Sequence, residues 1–176
     1  MTTRYSFRNP EMIIAGSALI VSLITAFVSI YSAFIDRAYA RASVWPRLEI
    51  SRSFGDNHFS YIVSNKGTGP AVIQYAHLTS EARTIRRWPE YLHKITGGKV
   101  DHVQSHIGEK VLSDGEQLRP LQITDAEAVK LLAAHDNLNI ALCYCSIYQE
   151  CWLVDRANQP TPVTQCAIDD NQRFLQ

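Results

Sequence analysis

The four cysteines are the first side chains whose type and spacing could do chemistry. They all lie in the last third of the chain, at Cys143, Cys145, Cys151 and Cys166. An even, clustered set suits disulfides in an oxidising compartment, and Cys145 and Cys151 could meet across a strand turn. Reduced cysteines buried in a core hairpin are the alternative that the sequence leaves open. The spacing lacks the Cys-x-x-Cys pattern of zinc and thioredoxin-like sites, so neither is predicted.

Two histidines form a weaker candidate site. On a β-strand, His102, Gln104 and His106 would share one face, and two histidines at this spacing could ligate a metal ion. A third ligand at a recognisable spacing is missing, so a solvated strand face is favoured over a metal site. The sequence has neither Gly-x-Ser-x-Gly nor His-Glu-x-x-His. We therefore expect no cofactor, no metal and no enzymatic activity.

A long apolar segment near the N-terminus indicates that the chain is anchored in a membrane. From residue 12 to residue 35 the chain has 24 residues without Asp, Glu, Lys, Arg or His. As a helix this run would be ~36 Å long, more than the ~30 Å hydrocarbon core of a bilayer. Ala38-Tyr39-Ala40 fits a signal-peptidase site, but signal h-regions are usually only about 7–15 residues long. We therefore predict a short tail at 1–11 and a retained transmembrane helix, with its extension, at 12–44.

One face of this helix carries only small residues. The spacing alternates between three and four along Ala15, Ala18, Ser22, Thr25, Ser29 and Ser32. Transmembrane helices associate through close packing of small residues, so the stripe predicts an interface with a second copy or another membrane protein. A hydroxyl-lined pore is a narrower hypothesis. Chance also remains open, because such hydroxyls can bond their own backbone.

After Pro46 the pattern changes from helical to β. Polar and apolar residues alternate on both sides of Gly55-Asp56-Asn57, which predicts a hairpin. The same pattern predicts further strands at 72–79, 100–105, 110–112, 117–123, 138–148 and 151–154.

Helices are indicated at only two places in this part of the chain. Residues 81–95 have helical spacing that Pro89 interrupts. Thr124-Asp125-Ala126-Glu127 matches a capping box, with Thr124 as the cap. We predict a β-rich domain over 46–176, an Ig-like sandwich or small barrel with one or two short helices. The last ten residues or so are expected to form a polar tail.

The net charge of the chain bears on its partners, and the arginines that flank the apolar run bear on its membrane topology. The formal net charge is zero, which argues against nucleic-acid binding. Arg4 and Arg8 precede the apolar run, while Arg37, Arg41 and Arg47 follow it. By the positive-inside rule, this excess of one favours a cytoplasmic domain. If the cysteines form disulfides, they favour a domain on the oxidising, non-cytoplasmic side instead. The topology therefore stays undecided.

Three motifs together resemble a loose group of uncharacterised bacterial proteins with one N-terminal transmembrane helix and a small β-rich domain. The motifs are Ser43-Val44-Trp45-Pro46-Arg47-Leu48, Asn65-Lys66-Gly67-Thr68-Gly69-Pro70-Ala71, and Cys143-Tyr144-Cys145-Ser146-Ile147-Tyr148 followed by Cys151-Trp152. The resemblance covers most of the chain and implies a single-pass protein of the bacterial inner membrane. It carries no activity or ligand.

These observations together predict a membrane-anchored accessory or scaffolding subunit. Its small-residue helix would assemble with a second copy or another membrane protein, and its β domain would bind a protein partner. A homo-oligomeric membrane effector, in which the β domain senses a signal and the helices form a pore, is the alternative.

Overall fold

The computed structural model describes residues 10–176, so most of the predicted N-terminal tail lies outside the described residues. Helix α1, Pro10–Ser43, is 34 residues long and buries none of them. Its length and apolar composition are sufficient to cross a membrane. The helix ends just before Trp45-Pro46, because proline disfavours helical backbone in the residue before it. The structure thus has the predicted long apolar helix.

Residues 43–176 form a second compact unit that is mainly β. Its strands are β1 Leu48–Gly55, β2 His58–Asn65, β3 Ala71–Ser80, β4 Arg83–Ile85, β5 Val111–Leu112, β6 Gln117–Ile123, β7 Leu138–Cys145, β8 Cys151–Val154 and β9 Thr161–Val163. Its two short helices are α2, Trp88–Thr96, and α3, Ala126–His135. The predicted mainly β domain with a few short helices is therefore confirmed.

The strands form two antiparallel sheets. One has the order β1-β2-β6, and the other has the order β4-β3-β7-β8-β9, with β5 also pairing with β3. The hairpin predicted around Gly55-Asp56-Asn57 is present, with Gly55 paired to His58 and Leu48 to Asn65. The predicted pairing of 151–154 with the preceding strand is also present, as β7 with β8.

Both sheets and both short helices contribute to one hydrophobic core. Its largest fully buried side chains include Phe59 and Tyr61 from β2, Leu78 from β3, and Trp88 and Tyr91 from α2. The Trp88 ring stacks on Tyr61, with the ring centroids 6.0 Å apart. The alternating pattern of β3 marks the face that the domain buries, whereas β2 also buries its polar residues Ser60 and Ser64.

Several local predictions are wrong for identifiable reasons. Residues 100–105 form a single bridge, between Val103 and Gln122, rather than a strand. Asp125, not Thr124, caps α3, since its carboxylate accepts the Ala128 N–H at 2.8 Å. Pro89 lies in the first turn of α2, where a missing N–H costs no hydrogen bond, so it starts this helix rather than breaking it.

The C-terminal residues are docked on the domain, unlike the expected polar tail. Phe174 is buried, and its ring meets Trp88 edge-on at 4.9 Å between centroids. Its backbone N–H donates to Ala76, and the Leu175 N–H donates to Arg86. The Gln176 side-chain amide bonds the backbone of Ser105 and Ile107. The buried Phe174 ring and these hydrogen bonds together anchor a segment that is otherwise mostly polar.

Candidate functional site

The sequence motifs at 43–48, 65–71 and 143–152 meet at one end of the β domain. We name this cluster the linker clamp: residues 44–48, residues 65–71 and Trp152. The first of these segments follows α1 directly, and all members of the clamp lie within residues 43–176. We name the same end of the domain the linker end.

Asn65 is the centre of the linker clamp. Its side chain is fully buried, and its carboxamide oxygen accepts the N–H groups of Arg47 at 3.1 Å and Gly67 at 3.0 Å. Its amide nitrogen donates to the carbonyl oxygens of Gly69 at 2.8 Å and Leu112 at 3.0 Å. All the hydrogen-bonding capacity expected of a buried amide is used here. Asn65 therefore joins the linker, its own loop and β5.

Backbone contacts extend this attachment along the linker. The Lys66 N–H donates to the Arg47 carbonyl at 2.7 Å, and the Thr68 N–H donates to the Trp45 carbonyl at 2.9 Å. A Cβ atom at Gly67 would lie 2.2 Å from the Trp45 oxygen, and one at Gly69 would lie 2.1 Å from the Val44 oxygen. Both glycines are needed because the two backbones approach too closely for any side chain.

Aromatic rings cover the outer side of the linker clamp. The Trp45 ring lies 6.2 Å from the Trp152 ring, which lies 5.8 Å from Tyr144 on the neighbouring strand. Burial raises the pKa of Tyr144, while a hydrogen bond with the Leu48 backbone and the nearby Arg47 charge oppose that rise. The third motif therefore contributes two rings that hold the linker on the domain.

The four cysteines form two disulfides beside this cluster, Cys143–Cys166 and Cys145–Cys151. Cys145 and Cys151 are direct partners in the β7–β8 register, and Cys166 follows β9. Within residues 10–176, the one group of three or more possible metal ligands is the sulfurs of Cys145, Cys151 and Cys166. These sulfurs are in disulfides and thus are not the thiolates that a metal site requires.

The two candidate histidines do not form a common site. The His102 Nδ1 lies 3.1 Å from the Val100 carbonyl, and this side chain lines a cavity of about 280 Å³ together with His93. His106 lines a different cavity of about 140 Å³, beside Arg173. The predicted strand that would have aligned His102 and His106 is absent from the described residues, which removes the geometric basis for joint metal binding.

Asp136 is a buried charge that the sequence analysis missed. Its side chain is fully buried after α3, where the phenols of Tyr61 and Tyr91 and the Leu138 N–H donate to Oδ1. Oδ2 pairs with Arg52 at 2.7 Å and with Arg156 at 3.1 Å. With five donors around two oxygens, this carboxylate has little capacity left for a ligand.

The ionisation of these groups follows from the burial and the hydrogen bonds. Burial opposes a charged Asp136, but the donors Tyr61 and Tyr91 and the Arg156 charge more than compensate, so the pKa of Asp136 is lowered. Burial raises the pKa of Tyr61, and it also raises the pKa of Tyr91 although the interaction with the neighbouring Tyr61 hydroxyl opposes that shift. The arrangement is an ionised carboxylate held by neutral phenols, which joins elements rather than transferring protons. Nothing in the spacing of these residues marks them in the sequence.

The small-residue stripe of α1 is exposed along its whole length. Its hydroxyls bond their own backbone: Ser22 donates to Ala18 at 2.7 Å, Thr25 to Val21 at 2.7 Å and Ser29 to Thr25 at 2.8 Å. These donors are satisfied within the helix, so hydroxyl bonds are not required for packing against another helix.

Comparison with family models, with curated protein sequences and with solved structures finds no match for this chain.

Proposed function

We propose that the protein is an accessory or scaffolding subunit anchored in the bacterial inner membrane. In this proposal α1 packs against the transmembrane helix of a second copy or of another membrane protein. The β domain, a sandwich-like module, binds a protein partner. Catalysis has no part in the proposal.

The linker clamp is the observation that carries this proposal. Helix α1 ends at Ser43, and the Val44 carbonyl already lies against Gly69. A flexible linker of many residues would let a tethered domain sample all orientations. Here residues 44–48 already pack on the β domain, so no long free linker separates the anchor from the domain, which suits a protein that works next to a membrane assembly.

The composition of α1 supports assembly within the membrane. A simple anchor needs only apolar residues, whereas this helix has small residues at a spacing that keeps them on one face. Since the hydroxyls of Ser22, Thr25 and Ser29 are satisfied by their own backbone, close helix packing rather than interhelical hydrogen bonding is the proposed source of affinity.

The disulfides support an oxidising compartment for the β domain. Two disulfides close to each other are typical of exported domains and are rare in the reducing cytosol. The charge asymmetry that favours a cytoplasmic domain is one arginine. We therefore place the β domain on the periplasmic side in this proposal.

Assembly through α1 is tested by Ser22→Leu combined with Ser29→Leu in the full-length protein. Two leucines in a small-residue interface keep the helices apart, and we expect about a tenfold drop in cross-linked assembly, corresponding to ~1.4 kcal/mol. The measurement is the amount of cross-linked complex in native membranes at matched expression levels.

Ser17→Leu is the matched control. Ser17 also bonds its own backbone, donating to Ile14, but it lies about 110° around the helix from the stripe. We expect this variant to assemble like the wild type. Undiminished assembly of the Ser22→Leu, Ser29→Leu variant would contradict the proposal. A wild-type complex that is a ring of one chain conducting ions would instead favour the pore.

A further inference from the structure

Large apolar side chains are exposed at the linker end of the β domain. Trp45 is 55% exposed, Val111 is 53% exposed and Ile147 is 54% exposed. Exposed apolar side chains that lie together at one end of a domain are candidates for a contact surface.

The strand register places these residues at one end of the domain. Val72, near the start of β3, pairs with Val111 on one side and with Cys145 on the other. Ile147 follows Cys145 in the β7–β8 turn, and the loop before β3 holds the Trp45 carbonyl through Thr68. We name the three exposed side chains, Trp45, Val111 and Ile147, the apolar rim.

Only a short length of chain separates the apolar run of α1 from the β domain. The helix continues for eight residues beyond the apolar run, from Asp36 to Ser43, and these add only ~12 Å. The headgroup layer on each side of the hydrocarbon core accounts for about 5–7 Å of that distance. With α1 spanning the bilayer, the first residues of the domain are thus at most about 5–7 Å beyond the headgroups, within reach of a tryptophan side chain at the headgroup level, where tryptophan is enriched.

The charges at the linker end do not favour an acidic or a basic partner. Arg47 pairs with Glu49 and Lys110 pairs with Glu116, both at 3.7 Å, and the exposed Lys66, Asp114 and Glu150 add further charges of both signs. A surface with mixed charges and an apolar rim suits zwitterionic headgroups, with no requirement for anionic lipid.

We propose that the apolar rim rests on the lipid headgroups of the membrane that α1 spans. The occupant is the bilayer rather than a second copy, because the chain that leaves α1 runs directly into this end of the domain. This inference rests on the membrane anchoring proposed above. Contact with the headgroups would fix the face of the β domain that points away from the membrane, where a partner can bind.

Tryptophan fluorescence in phosphatidylcholine vesicles tests the contact. The full-length protein carries Trp45→Phe, and a reporter is then introduced as either Ile147→Trp or Phe54→Trp. The two positions are matched, since Ile147 is 54% exposed and Phe54 is 53% exposed. Phe54 lies six residues along β1 from Leu48, ~20 Å from the linker end.

A nitroxide on the lipid headgroup quenches only nearby indoles. We expect the quenching added by Ile147→Trp to exceed that added by Phe54→Trp by at least about threefold, and an anionic lipid fraction to leave the ratio unchanged. Equal quenching at both positions would overturn the inference. An Ile147→Trp reporter that the lipid nitroxide does not quench would also overturn the inference. Quenching of that reporter by iodide in the water would show that it faces solvent, and protection from both quenchers would show that a second copy covers it.

The same samples separate this inference from the anchoring on which it rests. Retention of the protein in the vesicles after a carbonate wash reports insertion of α1. Retention without preferential quenching at Ile147→Trp overturns only the headgroup contact. Loss of the protein in the wash overturns the anchoring itself.

Discussion

Asp136 is a single residue that connects five separate segments of the β domain. Its carboxylate collects donors from β1, β2, α2, β7 and the segment after β8, through Arg52, Tyr61, Tyr91, Leu138 and Arg156. Removing one partner from a buried ion pair leaves the other charge uncompensated, which costs more than the pair contributes. The stability of the domain should therefore depend strongly on this side chain and on its ionisation.

Asp136→Asn is expected to destabilise the β domain by about 3 kcal/mol at pH 6, because two arginines lose their buried counter-charge. The pKa of Asp136 is lower in the folded protein than the unfolded value of about 3.9. The stabilisation by its charge is thus present above pH ~4 and is lost as the pH falls through the lower folded value. Denaturant unfolding of the full-length protein in micelles, from pH 6 to pH 2, measures this.

The difference in free energy of unfolding between wild type and Asp136→Asn should shrink as the solution is acidified below pH ~4. Asp56→Asn, an exposed substitution in the β1–β2 turn, is the control and should change stability by less than ~0.5 kcal/mol at pH 6. A wild-type to Asp136→Asn difference that stays constant down to pH 2 would mean that the carboxylate is not the stabilising charge.

At the scale of elements, the linker clamp depends on two glycines that leave room for a neighbouring backbone. Gly67 and Gly69 each face carbonyl oxygens of the linker at distances that no Cβ atom tolerates. Neither glycine has a positive φ, so the requirement is space rather than backbone conformation. The loop has one role in this structure, which is to let the two segments lie against each other.

Gly67→Ala and Gly69→Ala are each expected to push the linker off the loop, at a cost of about 1–3 kcal/mol. Trp45 would move away from Trp152, so the tryptophan emission spectrum should shift together with the loss of stability. Gly98→Ala is the matched control, since a Cβ atom there meets nothing within 4 Å. Unfolding transitions and emission spectra of the full-length variants check this, and wild-type behaviour of both clamp variants would refute the packing argument.

Local patterns predicted the elements whose signals lie close together in the sequence. The β1–β2 and β7–β8 hairpins follow from alternation around turns, and α1 follows from its apolar length. The linker clamp could not be predicted, because Asn65 and Gly67 act on backbone that is close in space but distant in sequence. The same holds for Asp136, whose partners come from segments up to 84 residues away.

At the scale of the whole molecule, the compartment of the β domain decides which partners it can meet. Charge and cysteine chemistry favour opposite sides of the membrane. The charge difference is one arginine, whereas the cysteine geometry pairs all four residues in two disulfides. Because the cytosol reduces such disulfides and the periplasm maintains them, we give the disulfides the greater weight.

Thiol labelling in cells tests this placement directly. We expect the four cysteines to stay unlabelled in denatured lysate without reductant, since none is free. In spheroplasts, a membrane-impermeant maleimide should label them after treatment with an impermeant reductant. Thr3→Cys adds a thiol that precedes α1 in the sequence, and under the proposed topology it should react only after the membrane is broken. Labelling of the native cysteines in denatured lysate without reductant would show reduced thiols and a cytoplasmic β domain, and it would confine the protein partner to the cytosol.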